Sequence, residues 1–384
     1  MKAVRPQDYR ALARRRLPPF LFEYIDGGCF SEQTMDANEA DLRNVRFRQP
    51  VLRKVAEVDL TTSWFGQSAA MPVILGPVGI AGMNARRGEV QAARAAKTAN
   101  IPFVLSNNSV CPIEEVARDA GRGFWFQAYM IRDRGFMKEL LARASAAGCR
   151  ALVFTVDVPV TGPRYRDHRT GLTAASGWRG SLQRTLQALS RPRWSWDVAL
   201  RGRPLGLGNM ASVLAGRTGL EDYFGWVARN FDPTVTWSDL DFLRAHWDGP
   251  FLLKGILDVA DAKTAVSIGA SGIVVSNHGG RQLDGVSSTA AMLAPIVDAV
   301  GDSLTVMVDG GMRSGLDVVR MLALGAKAVL LGRAWVFALG TAGETGVAHL
   351  LRMIDAEMRV VMTLLGCTSV ADLDRSLLLD YPRV

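Results

Sequence analysis

Apolar residues gather in eight short runs that recur along most of the chain. They are 71–77 (MPVILGP), 101–106 (IPFVLS), 123–130 (GFWFQAYM) and 151–157 (ALVFTVD), then 251–256 (FLLKGI), 272–277 (GIVVSN), 304–309 (LTVMVD) and 328–332 (AVLLG). Near-continuous apolar runs of this length are the pattern of parallel strands covered on both faces. Between most of them the period changes to that of a helix, at 86–98, 112–119, 134–147, 259–267 and 314–324. Eight strands alternating with helices predict an α/β fold, a (β/α)8 TIM barrel. A doubly wound sheet is the alternative that strand count alone leaves open.

Three segments fall outside the rhythm. Residues 1–70 precede the first strand and begin with a predicted helix at 6–16. Residues 166–245 separate the fourth and fifth strands, too long for a simple crossover and so expected to be functional or interfacial. Residues 341–384 read as C-terminal helices. The expected organisation is one domain over 1–384, with the barrel in 71–165 and 246–340.

Composition narrows the function classes. The 384 residues are 48% hydrophobic and 21% charged, enough for one large core and too apolar for wholesale disorder. The net charge is +8, but no Lys/Arg-dense run with interleaved aromatics marks a nucleic-acid groove. Cys29, Cys111, Cys149 and Cys367 form no CxxC pair and suggest no metal site. The first twenty residues lack the apolar core of a signal peptide, and no uncharged apolar run reaches about 18 residues. The default expectation is a cytoplasmic protein.

Catalysis in a TIM barrel sits at the C-terminal strand ends. Those ends carry Gly79, Ser106, Gln127 with Tyr129, Thr155 with Asp157, Lys254, Ser276 with His278, Asp309, and Arg333. So many polar groups at one rim predict a polar ligand ringed by the strands. Ser276-Asn277-His278-Gly279-Gly280-Arg281 is the most informative stretch. His beside Arg suits an acid substrate, the Arg holding a carboxylate while the His moves a proton. The alternative is a structural loop His; His168 in an Arg-rich loop, His349 on a C-terminal helix and His246 beside Trp247 carry no such context. Asp309-Gly310-Gly311-Met312-Arg313 and Gly332-Arg333 follow the seventh and eighth strands, the usual phosphate site of this barrel. Lys254 ends an apolar strand; it is a candidate Schiff-base nucleophile, a fixed cation, or a snorkelling rim residue. Gly206-Leu207-Gly208-Asn209-Met210-Ala211 matches a dinucleotide-binding pattern, but no strand precedes it, and the match is set aside.

With these residues in view, the chain closely resembles the FMN-dependent L-2-hydroxy acid oxidases and dehydrogenases. SNHGGRQLDG is highly specific to that family. PPFLFEYIDGG, GPVGIAGM, RRGEVQAARAA, FQAYMIRDRGF, TVDVPVTGPRYRD, LKGIL, DGGMRSGLDVVRMLALGA and LLGR extend the likeness over nearly the whole chain. Within the family it is most similar to the bacterial, membrane-associated L-lactate dehydrogenases of the quinone or cytochrome type. The resemblance implies FMN as cofactor and oxidation of an L-2-hydroxy acid, L-lactate to pyruvate as the first choice. It implies His278 as the base and Asp157 as its partner. Arg281 and Arg164 would grip the carboxylate with Tyr24, and Tyr129 would contact the reacting oxygen. Lys254 would sit by the flavin N1 and O2. Ser106, Gln127, Thr155 and Ser276 would bond the flavin ring, with Val78 and Gly79 behind it. Asp309 would meet the ribityl chain, and Gly311, Arg313, Gly332 and Arg333 the phosphate. Family members are often tetramers.

Two features qualify the likeness. Asn107 and Asn108 stand where the lactate enzymes carry Thr and Val, and Asn108 falls at the position facing the substrate side chain. A larger or more polar acid, mandelate-like, is the alternative substrate; oxygen is the alternative acceptor. Another FMN or phosphate-binding barrel, such as an isopentenyl diphosphate isomerase type, would not need His278 and Arg281 together. A degenerate FMN-binding barrel would lack catalytic residues that are present here. Residues 178–203 carry Trp178, Trp194 and Trp196, with Leu182, Leu186 and Leu189 at helical spacing. Six Arg stand there against only Asp197. A basic amphipathic segment of this kind predicts contact with a membrane surface and a quinone acceptor. A lid or a subunit contact is the alternative.

Overall fold

Eight parallel strands close into a barrel in the order β3-β10-β9-β8-β7-β6-β5-β4. They are β3 (Val73–Leu75), β4 (Val104–Ser106), β5 (Trp125–Ala128), β6 (Leu152–Thr155), β7 (Phe251–Ile256), β8 (Gly272–Val275), β9 (Thr305–Val308) and β10 (Ala328–Leu331). A parallel bridge from Leu75 to Phe103 joins the ends of the order, so the sheet is a closed barrel and not an open doubly wound one. A short hairpin, β1 (Thr62–Trp64) and β2 (Gln67–Ala69), precedes the barrel. The structure, a computed structural model, describes residues 2–173, 178–214, 225–227 and 229–379.

Alternation along each strand divides the core in two. Ile74, Val104, Trp125, Val153, Leu252, Val274, Met307 and Leu330 form the barrel interior. Their neighbours Val73, Leu75, Leu105, Phe126, Phe154 and Leu253 face the surrounding helices. Trp64 and Ala69 of the hairpin join the interior cluster and stopper its N-terminal end. Trp64 Nε1 donates to Lys327 O at 3.1 Å, and Trp125 Nε1 to Gln67 Oε1 at 3.0 Å. The bottom of the barrel is therefore filled, and only the top is free for chemistry.

The period of two also decides what the top contains. Two residues beyond each interior residue come Gly76, Ser106, Gln127, Thr155, Lys254, Ser276, Asp309 and Gly332. These point to the same side as the apolar layer beneath them, so the polar layer follows from strand register alone. Arg333, expected at the rim, instead begins the helix Arg333–Leu365.

The outer helices start where short polar side chains cap them. Asp133, Asp258, Ser288 and Ser314 accept from the first-turn N–H groups of Arg134–Ala146, Val259–Ser267, Thr289–Val300 and Gly315–Ala323. The last helix is broken at Ala342 and Gly343, whose dihedrals are not helical. The expected helix at 6–16 is Asp8–Arg16. Two further N-terminal helices, Pro19–Asp26 and Gln33–Asn44, were not expected. They lie across the barrel mouth, where Asn38 and Asn277 exchange amide hydrogen bonds at 2.9 Å each.

The insertion contains the helix Trp178–Leu189, docked by its polar side chains. Gln187 Oε1 accepts from Phe20 N at 2.8 Å, and its Nε2 donates to Thr170 O at 2.9 Å. Gln183 donates to Arg169 O and Arg184 to Gly171 O. Leu182, Leu186 and Leu189 are left 49%, 58% and 66% exposed, with Trp196 and Leu200 exposed beside them. Trp194 does not belong to that surface. It is buried and donates to Met83 O at 2.8 Å, because an indole that finds a carbonyl inside is better satisfied there. The side chain of Trp178 lies outside the described residues.

Candidate active site

The mouth of the barrel holds a cavity of about 1120 Å³, counting space open to solvent. It is bordered by Tyr24, Val78, Gly79, Asn108, Tyr129, Arg164, Lys254, His278, Arg281, Asp309, Gly311, Arg313, Gly332 and Arg333. Ser106, Gln127, Thr155 and Ser276 lie in the strand-end layer below, and Asp157 behind His278. The residues expected to bind substrate and cofactor thus converge on one end of one barrel.

His278 follows β8 in a left-handed turn, φ 56°, which a β-branched residue would adopt only at a cost. Its backbone N donates to Ser276 Oγ at 3.0 Å. Its Nδ1 lies 3.0 Å from Asp157 Oδ1. An ionised carboxylate only accepts, so Nδ1 carries the proton and Nε2 is the basic nitrogen. Burial pushes the imidazole below its ordinary value, against the upward pull of Asp157. Burial alone would raise the Asp157 carboxyl, but the imidazole and Lys254 hold it low. Nearby, burial and the charge of Asp157 push the Tyr129 phenol up, so it stays a hydrogen-bond donor at neutral pH.

Two guanidinium groups crowd Tyr24. Arg281 Cζ lies 4.9 Å and Arg164 Cζ 5.8 Å from its ring centre. Arg281 Nη1 donates to Tyr24 O at 2.6 Å and Gly27 O at 2.8 Å, while Arg164 Nε is buried with no partner. Burial and the neighbouring Arg164 lower Arg281, a sign of like charges held together. Asp167 is buried close by, its carboxyl raised by burial against the downward pull of Arg281 and Arg164. An anion between the two arginines would relieve this repulsion.

Lys254, 4% exposed, ends the strand as a fixed cation. Its Nζ lies 2.8 Å from Asp309 Oδ2 and donates to Ser276 Oγ at 2.9 Å. Burial would lower it, but Asp309 and Asp157 together raise it above its ordinary value. A lysine kept charged is no Schiff-base nucleophile. Below, Ser106 Oγ donates to Gln127 Oε1 at 3.1 Å and Gln127 Nε2 to Thr155 Oγ1 at 3.0 Å. The phosphate-type end is equally charged. Arg313 and Arg333 are half-buried and lowered, first by desolvation, with Arg333 further depressed by Arg281 and Arg313. Gly310 and Gly311 have φ near +90°, and space is open beyond Gly332 where a Cβ would stand. A buried Asp309 Oδ1 also lacks a partner. An elongated ligand with a polar flat end and a phosphate fits these residues.

Sequence reading missed Phe231. It comes from the insertion, tilts against Tyr129 with ring centres 4.8 Å apart, and walls the cavity with Val227. Its backbone pairs with Ile131, which holds this part of the insertion beside the strand end that carries Tyr129. His168, His246 and His349 lie outside the cavity; His349 bonds the Tyr9 hydroxyl and His246 the Phe242 carbonyl.

A closed parallel barrel whose mouth holds a half-buried His–Asp couple, paired arginines and a glycine- and arginine-lined end fits a TIM-barrel oxidoreductase for hydroxy acids. Comparison with known proteins gives the family. A model of the FMN-dependent dehydrogenases matches residues 13–380. L-lactate dehydrogenase of Yersinia pestis (strain Pestoides F) is 59% identical over 368 residues, 96% of this chain and 96% of that protein. The L-lactate dehydrogenase of Yersinia pseudotuberculosis serotype O:1b (strain IP 31758) matches equally well. The monotopic membrane protein (S)-mandelate dehydrogenase superposes with a TM-score of 0.93 at 35% identity, covering 99% of this chain and 100% of that one. Mandelate oxidase with (S)-4-hydroxymandelic acid superposes at 0.83 with 40% identity, covering 96% and 97%. The chain belongs to the FMN-dependent dehydrogenase family; its cofactor is FMN, and it oxidises L-2-hydroxy acids.

The His–Asp pair sets a pH dependence. A base must be neutral to accept a proton, so kcat/KM should rise with pH through the His278 pKa and then level off. Burial places that limb below the ordinary histidine value of 6.5. Asp157→Asn removes the group that raises it, so the limb should move further down. The plateau should drop about 100-fold or more, because the imidazolium loses its counter-charge. A pH profile for both proteins reads this; a limb that stays put or moves up in the variant contradicts the pairing.

Proposed function

We propose that the protein oxidises L-lactate, or an L-2-hydroxy acid of similar size, to the 2-keto acid and passes the electrons to a membrane quinone. The observation that carries the chemistry is His278 Nδ1 held on Asp157, with Nε2 left as base in a cavity that also contains the Arg164–Arg281 clamp. The clamp takes the substrate carboxylate with the Tyr24 hydroxyl. Tyr129 donates to the oxygen on C2, and His278 takes the proton released there. Ser106, Gln127, Thr155 and Ser276 would hold the flavin ring, backed by Val78 and Gly79, with Lys254 beside it as a fixed cation. Asp309 would hold the ribityl chain, and Gly311, Arg313, Gly332 and Arg333 the phosphate. When bound, FMN supplies the two-electron acceptor for the substrate carbon.

The membrane part rests on the insertion. Its helix turns polar side chains inward and Leu182, Leu186 and Leu189 outward, the reverse of a helix packed on a protein core. Arg201 lies over the exposed Trp196 ring at 4.8 Å, supplying a charge at the edge of the apolar strip. Apolar side chains rimmed by arginine suit an anionic bilayer surface. No helix among the described residues is long and apolar enough to cross a membrane, so the contact is peripheral. The likeness to a monotopic membrane protein supports the same reading. The purified holoenzyme should sediment with vesicles of anionic lipid at low salt. Leu186→Asp with Leu189→Asp should release it while the flavin stays reducible. Wild-type protein remaining in the supernatant at low salt overturns the membrane contact.

A further inference from the structure

One polar group in the cavity has no use in the scheme above. Asn108 is 7% exposed and borders the same space as Tyr24, Tyr129, His278 and Arg281. Its backbone is fixed from both sides: its N donates to Ser106 Oγ at 3.2 Å, and its O accepts from Ile80 N at 2.8 Å. Its side-chain Oδ1 is buried with no hydrogen-bond partner. A buried carbonyl oxygen left without a donor is costly, so its presence at a binding wall asks for a ligand that completes it.

The position of the amide says which part of the ligand it meets. A Cβ placed on Gly79 would stand 3.4 Å from Asn108 Cβ and 3.4 Å from the Tyr24 hydroxyl. Asn108 and the Tyr24 hydroxyl therefore flank the same glycine, and the Arg281 and Arg164 guanidinium groups lie 4.9 and 5.8 Å from the centre of the Tyr24 ring. With the carboxylate in the clamp and the C2 oxygen toward His278, the substituent on C2 is what remains to reach Asn108. A cationic substituent is disfavoured by Arg164, Arg281 and Lys254 around the cavity. A second carboxylate can only accept, and leaves Oδ1 unpaired. A hydroxyl both donates and accepts, so it satisfies the amide in either orientation.

We propose that Asn108 selects a short L-2-hydroxy acid carrying a second hydroxyl on C3. The proposal rests on the reading of this cavity as the L-2-hydroxy acid site. Asn107 is its control: it is fully buried, its amide is also unpaired, and it does not border the cavity. Nothing in the structure explains the Asn107 amide.

The test compares L-glycerate with L-2-hydroxybutyrate, which differ by a C3 hydroxyl against a methyl group of similar size. Anaerobic flavin reduction of the holoenzyme gives the second-order rate constant for each. Wild type should favour L-glycerate by about 10-fold or more, the worth of one buried hydrogen bond. Asn108→Val should erase that preference, Asn108→Thr should keep part of it, and Asn107→Thr should leave the ratio as it was. Unshifted flavin spectra show that the variants are folded. A wild-type ratio near or below one, or a ratio unmoved by Asn108→Val, overturns the role of Asn108 and leaves the chemistry standing. Flavin reduced by neither these acids nor L-lactate refutes the underlying reading instead.

Discussion

His278→Ala should yield a yellow protein that L-lactate no longer bleaches. The imidazole is a base in the cavity held by a half-buried carboxylate, with Nδ1 committed to Asp157 and Nε2 turned away from it. General bases contribute about 100- to 10,000-fold, and the flavin reduction rate should fall by that factor. FMN should remain bound, because Arg313, Arg333 and the glycines of the cradle follow other strands. The backbone at His278 is left-handed, which alanine tolerates less well than asparagine. His278→Asn is therefore the companion variant: it should fold more stably and be equally inactive. Anaerobic stopped-flow absorbance measures both. A wild-type reduction rate in either variant would remove His278 from the mechanism.

Much of this site was legible before the fold was known, for a physical reason. Buried parallel strands must be apolar throughout, so a polar residue at the end of such a run stands out. Ser106, Gln127, Thr155, Lys254, Ser276 and Asp309 were visible in that way, and the two-residue period then placed them together. Pairings across the chain were not visible from the residues alone. His278 and Asp157 are 121 positions apart, and only the family likeness joined them before the geometry did. Phe231 was missed because its contact with Tyr129 depends on how the insertion folds back. The hairpin β1–β2 was missed because three-residue strands carry too few positions to show a period. Trp194 misled, since an indole in a basic amphipathic stretch reads as interfacial until its carbonyl partner is known. The leucines of the same stretch do share one exposed face, because helical spacing alone puts them there.

Arg281→Met should cost binding rather than folding. The guanidinium is anchored through Nη1 to the carbonyls of Tyr24 and Gly27, which aims its remaining edge at the cavity. Removing a buried charge that pairs with a ligand charge costs about 2–5 kcal/mol, so the dissociation constant for L-lactate should rise roughly 100- to 1,000-fold. The empty enzyme should lose little stability, because Arg281 and Arg164 repel each other when no anion lies between them. The loss should be specific to the carboxylate. Lactamide, which is neutral at that end, should be bound weakly by wild type and hardly more weakly by the variant. Arg281→Lys should fall between, keeping the charge but losing the planar two-point grip. Flavin reduction titrated with L-lactate and lactamide measures the difference. Equal losses for the acid and the amide would mean that Arg281 acts by shaping the N-terminal segment at Tyr24 and Gly27. In that case Arg164, whose Nε is buried and unpaired, would be the carboxylate ligand by itself.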